Sequence, residues 1–562
     1  MNSSTEVANA TMRNQRVPDI LDVIAALSTD AVPTPPLLAR ALLDLLPEEV
    51  WSKPHYKWLD PATKSGSILR EAARRLMEGL AEWEPDREKR AEHILRNMLY
   101  GCGMTQVHGE MTRRSVYVSK DASSPVSIVH FDDAEGNLPF VVAEHDYPLN
   151  KDGKPSGPCK SCSAPATLER GDSRENYAYA FIHDCYPTEE MEEMKFDVII
   201  GNPPYQTGDG RTSESPIYQH FIERSIELEP KYLAMIIPSR WFTGGKGLDS
   251  FREKMIKDRR IKSIVDNPKV YDCFPGVKIR GGVNYFLWAR DYNGDCEFST
   301  RIDGVITSTT KRDLRSGSGV LVRDNNASRI IKKVSPKIAN DSLTRIVSSQ
   351  FPFGQTLTTN YAGSQMEPFE DSIPLVFGGF IGYVQRGTIE KNVDWIDKWK
   401  VLLPKASSGD TAQDSQGRII DVVLGEPIAL APGSACTQTY LVAGVFNTRK
   451  EAKNFATYLA TKFVRFLVLQ RKTTQDVNPD RFRFVPELDM KKLWTDEILY
   501  AHFKLTKLEI EYIETVIKPR SVNLALNGPI PASHLPGGSK YREPGSREET
   551  ESPEATVDDG DE

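Results

Sequence analysis

Apolar residues recur at helical spacing in TPPLLARALLDLLP, where Leu37, Leu38, Ala41, Leu42 and Leu45 share one side behind a proline start. The next stretch, HYKWLDPATKSGSILREAARRLMEGL, reads as a strand over Tyr56 to Leu59, a loop from Asp60 to Gly66, and a helix over Ser67 to Leu80. Strand, small-residue loop and helix make the opening unit of a parallel α/β sheet. A helix from Arg87 to Asn97 and a strand at MLYGCGM follow. Residues 105–180 are polar and rich in Gly and Pro, which breaks the alternation and predicts an insertion. The sheet resumes with AFIHD (180–184) and FDVIIG (196–201). Helices around Ile217–Leu228 and Leu248–Lys257, and strands at YLAMIIPS, IKSIVDN and GGVNYFLWA, complete it.

This pattern predicts an α/β, Rossmann-like doubly wound domain over 34–295, with its insertion at about 105–180. A leader with one short helix occupies 1–33. Past residue 300 the segments are short and alternating, as in IPLVFGGFIGYVQRG. A mixed α/β second domain is therefore expected over 300–520, closing with helices at Thr448–Gln470 and Lys504–Ile517. No internal repeat is visible.

Charge changes the picture at one end only. The chain has a net charge of −7, but residues 546–562, SREETESPEATVDDGDE, hold eight acidic groups and one arginine, a balance of −7. The remainder is neutral, and 521–562 reads as a disordered acidic tail. A neutral body leaves room for a basic cleft without demanding one. No apolar run approaches the roughly 18 residues of a membrane span, and the N-terminus lacks a signal-peptide layout, so a cytoplasmic protein with no membrane partner is expected. Seven cysteines in 562 residues make no disulfide framework. Cys159 and Cys162, in GPCKSCSAP, are either two free thiols on a turn or half of a structural zinc knuckle, with His145, His183 and Cys185 as partners.

The most specific chemistry sits at GNPPY, where FDVIIG ends. Pro203 and Pro204 have fixed φ and freeze the backbone just past the strand. Asn202 offers a side-chain carbonyl, and the Pro203 main-chain carbonyl is a second acceptor, enough for both hydrogens of a planar amino group. Tyr205 adds a flat face for stacking. Two acceptors on one –NH2 favour tetrahedral nitrogen and free its lone pair for attack. A proline turn capped by asparagine is the plain alternative.

Asp60-Pro61-Ala62-Thr63-Lys64-Ser65-Gly66 followed by Asn202-Pro203-Pro204-Tyr205 resembles the adenine-specific (N6) DNA methyltransferases of restriction–modification systems. The likeness covers about 34–290 and extends to IIPSRWFTGGKGLDSFREKM and DCFPG. It implies S-adenosylmethionine as cofactor and double-stranded DNA as substrate, with a cognate restriction endonuclease as a further partner. It assigns Thr34 and Pro35 to the methionine end of the cofactor, and Asp60, Ala62 and Gly66 to the cofactor loop. Asn202, Pro203, Pro204 and Tyr205 become the catalytic set. Tyr205 stacks on an adenine flipped out of the duplex, with Phe274 as the opposite wall. Two features depart from the family pattern. Lys64 puts bulk and charge where glycine is usual, and the second strand lacks the acidic residue that binds the ribose, leaving Gln106 there and Asp184 as the carboxylate for the cofactor's adenine ring. Both predict either weaker cofactor binding or contacts supplied instead by the insertion.

KFVRFLVLQRKTTQDVNPDRFRFVP is similar to the family's target-recognition region. Helix 448–470 carries Phe455, Leu459, Phe463, Phe466 and Leu467 on one face. Lys462, Arg465, Arg471, Lys472, Arg481 and Arg483 then form a basic strip suited to phosphate, or merely a solvated face. Alternatives are methylation of a protein glutamine amide, which NPPY also serves, and a catalytically weakened DNA-binding relative.

Overall fold

A computed structural model describes residues 32–164, 178–185, 194–207, 215–245, 247–274, 279, 281–317, 319–338, 341–359, 361, 365–378, 380–406, 423–471 and 476–519. The acidic tail, most of the leader and Lys472 lie outside them. The chain divides into two compact units, Met1–Lys332 and Lys333–Glu562.

The first unit is built on one eight-stranded sheet. Its elements are α1 (Pro36–Leu43), β1 (Trp58–Thr63), α2 (Ser67–Gly79), α3 (Arg87–His93), β2 (Leu99–Gly103), α4 (Gln106–Tyr117), β3 (Val198–Gly201), α5 (Tyr218–Glu227), β4 (Tyr232–Pro238), α6 (Asp249–Lys257), β5 (Ile261–Asn267), β6 (Val283–Ala289), β7 (Cys296–Ile302) and β8 (Val305–Arg312). The spatial order is β8-β7-β5-β6-β4-β3-β1-β2. Strands β2, β1, β3 and β4 run parallel, and β6 lies antiparallel between β4 and β5. The expected Rossmann-like α/β architecture is present, as a mixed rather than purely parallel sheet.

The apolar run of FDVIIG follows from burial on both faces. Val198 and Ile200 enter one core cluster with Trp58, Ala234 and Ile236, while Ile199 enters the other with Leu59, Leu233 and Met235. Burying both faces leaves no polar alternation to read. Strand order reverses at β1, with β2 on one side and β3 on the other. Ligands of open α/β sheets bind at such a switch point, beyond the carboxyl ends of the strands. Lys64-Ser65-Gly66 after β1 and NPPY after β3 leave the sheet there, side by side.

Several boundaries differ from the sequence reading: β1 runs on through Thr63, and the α-helix from Arg87 ends at His93. The insertion begins later than residue 105, because 106–117 form α4, capped by the Thr105 side chain, which accepts from His108 N. AFIHD is no sheet strand: Ala180–His183 form a single 3-10 turn, and Ala178–Tyr179 pair with Val142–Ala143 in a separate two-stranded ribbon. The first domain also runs past 295, since β7 pairs with β5 and β8 with β7, extending the same sheet.

The second unit contains two three-stranded sheets, one formed by Ser372–Phe377, Phe380–Gln385 and Ala435–Cys436, the other by Trp399–Pro404, Ile428–Leu430 and Tyr440–Phe446. The helix expected over 448–470 is two, Arg449–Ala460 and Lys462–Leu469. Thr461 breaks it, with an extended ψ of 149° and a side chain that accepts from Val464 N and donates to Tyr458 O. Lys507–Val516 forms the last helix, inside the predicted 504–517.

Candidate active site

Gly66 opens α2 with φ at +73°, a conformation that glycine adopts without strain. A Cβ there would stand 3.0 Å from Thr112 Cα and 3.1 Å from Ser115 Cβ. This close approach lets α4 brace the loop from behind: Ser115 Oγ donates to Ser65 O (2.6 Å) and Thr112 Oγ1 to Lys64 O (3.3 Å). Gly66→Ala is expected to destabilise the chain by about 1–3 kcal/mol, from left-handed strain and backbone overlap. Urea unfolding and cofactor titration of the variant check it, with loss in both expected.

Asp60 is buried within β1, which continues to Thr63 through residues read from sequence as loop, and one carboxylate oxygen accepts from Ala62 N at 3.1 Å. Burial pushes its carboxyl up to about 7, against the pull of that N–H and of the Lys64 ammonium. Gly201 of β3 lies alongside, where a Cβ would sit 3.1 Å from Asp60 Oδ1.

Three sequence-distant segments meet at this point. Asn202 Nδ2 donates to Val32 O (3.3 Å) and to Thr34 Oγ1 (3.1 Å), and Ser67 Oγ donates to Thr34 O (2.7 Å). Lys64 Nζ, also buried, donates to Val32 O at 3.2 Å and stands 5.8 Å from the Tyr205 ring centroid. With its amide nitrogen so committed, Asn202 Oδ1 is left as a buried acceptor with no hydrogen bond. A buried orphan of this kind costs about 1–3 kcal/mol, and a hydrogen-bond donor relieves it. Thr34, Asp60, Ala62, Gly66 and Asn202, five of the expected residues, line one small cavity of about 10 Å³ together with Lys64. Pro35 caps the start of α1 beside them. Pro203, Pro204 and Tyr205 are buried next to Asn202.

The Eco57I restriction–modification methylase family matches residues 97–274. A Mycoplasma pneumoniae protein named an uncharacterized adenine-specific methylase is 35% identical over 356 residues, 59% of this chain and 83% of its own. The chain belongs to the adenine-specific methylases. Solved structures are more distant. The DrdV–DNA complex gives a TM-score of 0.40 at 10% identity, over 82% of this chain but only 56% of that one. The type IIL restriction–modification enzyme MmeI in complex with DNA gives 0.38 at 10%, over 89% and 76%.

Other expected positions of this methylase fall elsewhere. Phe274 meets Tyr205 edge-on, ring centroids 6.4 Å apart and planes at 73°, so the two are not parallel walls; both pack into the core. Asp184 ends the 3-10 turn in a left-handed conformation and pairs with Arg224 of α5, so it is not a carboxylate at a sheet-strand end. Gln106 is exposed in the first turn of α4. The sequence reading missed His108, on the same turn, which burial and the nearby Lys64 ammonium hold down to about 4, hence neutral. Its signal was the Thr105 cap, hidden inside a supposed insertion.

The basic strip of the second unit is largely spent on the fold. Arg465 is buried, donating to Ala460 O (3.0 Å), Thr461 O (3.3 Å) and Lys518 O (2.7 Å). Arg471 is buried and pairs with Asp480, Arg481 donates to Arg471 O (2.6 Å), and Lys462 pairs with Glu514. Arg483 remains half exposed. Arg465 and Arg481 are taken up by main-chain carbonyls, and Arg471 and Lys462 by carboxylates. Arg465→Ala is expected to cost about 2–4 kcal/mol of stability and to leave the DNA affinity of the folded protein unchanged, as chemical denaturation and a binding titration would register.

Proposed function

We propose that the chain is a site-specific DNA methyltransferase that methylates the N6 amino group of adenine, with S-adenosylmethionine as methyl donor. The observation that carries this reading is the orphaned Asn202 carbonyl, fixed by its own amide bonds at the switch point of the sheet. Family membership supplies the reaction class.

The residues present fit the donor. The left-handed Gly66 keeps the loop backbone clear of side chain, Thr34 and Pro35 stand opposite it, and Asp60 offers a carboxylate to the donor's ammonium. When bound, the donor supplies a methyl group on a sulfonium centre. Asn202 Oδ1 and the Pro203 carbonyl accept the two N6 hydrogens and hold the nitrogen lone pair free for attack. Tyr205, whose phenol burial keeps neutral, provides the stacking face. Lys64 has to leave the small cavity for the donor to enter, so its bond to Val32 is broken and remade around binding. The second unit reads the target sequence, and a cognate endonuclease cutting the same sequence is its partner. Among the described residues, no helix is long and apolar enough to cross a membrane.

Incubation with methyl-labelled S-adenosylmethionine and double-stranded DNA, followed by nucleoside analysis, tests the reading. Label in N6-methyldeoxyadenosine is expected; label confined to protein would refute it and favour the glutamine alternative.

A further inference from the structure

We propose that His145, Cys159, Cys162 and His183 hold one structural zinc ion in an S2N2 tetrahedron that clasps residues 142–164 and 178–185 against α5. One ligand atom from each of the four residues lies within 4.8 Å of every other. Cys159 Sγ is 3.6 Å from His183 Nε2, and Cys162 Sγ is 3.2 Å from His145 Nδ1. Zn–S bonds of about 2.3 Å and Zn–N bonds of about 2.0–2.1 Å in a tetrahedron place neighbouring ligand atoms roughly 3.5 Å apart. The two S–N pairs are therefore already near the edge length of that polyhedron, and every pair is within 4.8 Å.

The surroundings are those of a built site. His183 Nδ1–H donates to Tyr179 O at 2.9 Å, which fixes the tautomer with the Nε2 lone pair facing the sulfurs. Both thiols are free and buried, at 2% and 1% exposure. The turn that brings them together is closed by Ser163 N donating to Cys159 O (2.9 Å) and Cys159 N to Ala164 O (2.8 Å), with Ser163 at a φ of +60°. Two thiolates and two imidazoles, with no carboxylate, select zinc over magnesium or calcium. Four protein ligands leave no open position, so the ion is structural rather than catalytic. Cys185 is excluded, because its thiol donates to His183 O at 3.4 Å. On binding, each thiol loses its proton to solvent, so two protons are released and the centre is neutral.

The clasp bears on the active site through α5. Phe181 stacks on Phe221 at 5.9 Å, and Asp184 pairs with Arg224, both on α5. Ile217, just before that helix, donates from its backbone N–H to Tyr205 O at 3.3 Å.

Elemental analysis of the full chain, purified without chelator, tests the proposal independently of methyl transfer. One zinc per chain is expected, retained in Cys185→Ser and lost in Cys159→Ser and in Cys162→Ser. Cobalt(II) added to the chelated protein should give the charge-transfer and ligand-field bands of a tetrahedral S2N2 centre. His145→Cys, which adds a third thiolate, should keep the metal and strengthen the charge-transfer band. Chelated wild-type protein that takes up neither zinc nor cobalt would overturn the assignment. So would a Cys159→Ser/Cys162→Ser double variant that keeps stoichiometric zinc.

Discussion

Asn202→Ala is expected to lower the single-turnover rate of methyl transfer by about 10²–10³, the usual cost of removing one preorganised polar group aimed at the reacting centre. The amide cannot rotate to evade this role, because Val32 O and Thr34 Oγ1 both hold its nitrogen. Its carbonyl is thus set before any substrate arrives, and no reorganisation cost falls on the reaction. Alanine removes the acceptor and the two crosslinks together. Cofactor affinity, which the proposed function places on Asp60 and the loop before α2, should fall far less than the rate. Rapid-quench measurement with labelled cofactor, alongside equilibrium binding, separates the two. An unchanged single-turnover rate would remove Asn202 from the chemistry.

The second large effect is on pH. Asp60 has its carboxyl raised by burial to about 7, so the folded protein without cofactor holds it half-protonated near neutrality. The cofactor's ammonium group favours the ionised form, and binding then releases a proton. Affinity for S-adenosylmethionine should therefore rise with pH, about tenfold between pH 6 and 8, and level off above. Stability of the cofactor-free protein should move the opposite way. A folded pKa above the unfolded value of 3.8 stabilises fully below about pH 4 and loses that contribution as pH climbs through 7. The loss is at most roughly 4 kcal/mol. Asp60→Asn should flatten both profiles while weakening binding. Calorimetric titration across the pH range, in buffers of different ionisation enthalpy, measures affinity and proton release together. A pH-independent affinity in the wild-type chain would show that Asp60 is already ionised or does not meet the cofactor.

Much of the architecture was legible because its signals are local. IKSIVDN is the strand Ile261–Asn267, and YLAMIIP is the strand Tyr232–Pro238. The second is a short apolar run, and the first is a short segment built around Ile261, Ile264 and Val265. AFIHD failed for the same reason: five residues with an apolar middle fit a strand, and only the ribbon formed by Val142–Ala143 and Ala178–Tyr179 showed that the chain turns there instead. Helix 448–470 failed because a threonine inside a periodic pattern gives no warning that it caps both halves.

The sequence by itself determined the chemistry on offer: two rigid prolines behind an asparagine, a carboxylate at the end of a small-residue loop, a CxxC. Covalent structure and fixed φ settle those properties whatever the rest of the chain does. Tertiary structure decided which groups are free to use them. Asn202 and Thr34 are 168 residues apart, and only their meeting leaves the Asn202 carbonyl unpaired. Of the arginines that looked like a phosphate-binding strip, Arg465 and Arg481 are held by main-chain carbonyls and Arg471 by a carboxylate. His145 and His183 joined the CxxC pair while Cys185 did not. Each outcome follows from one physical fact: a buried polar group must find a partner, and which partner lies within reach depends on contacts between residues far apart in the chain.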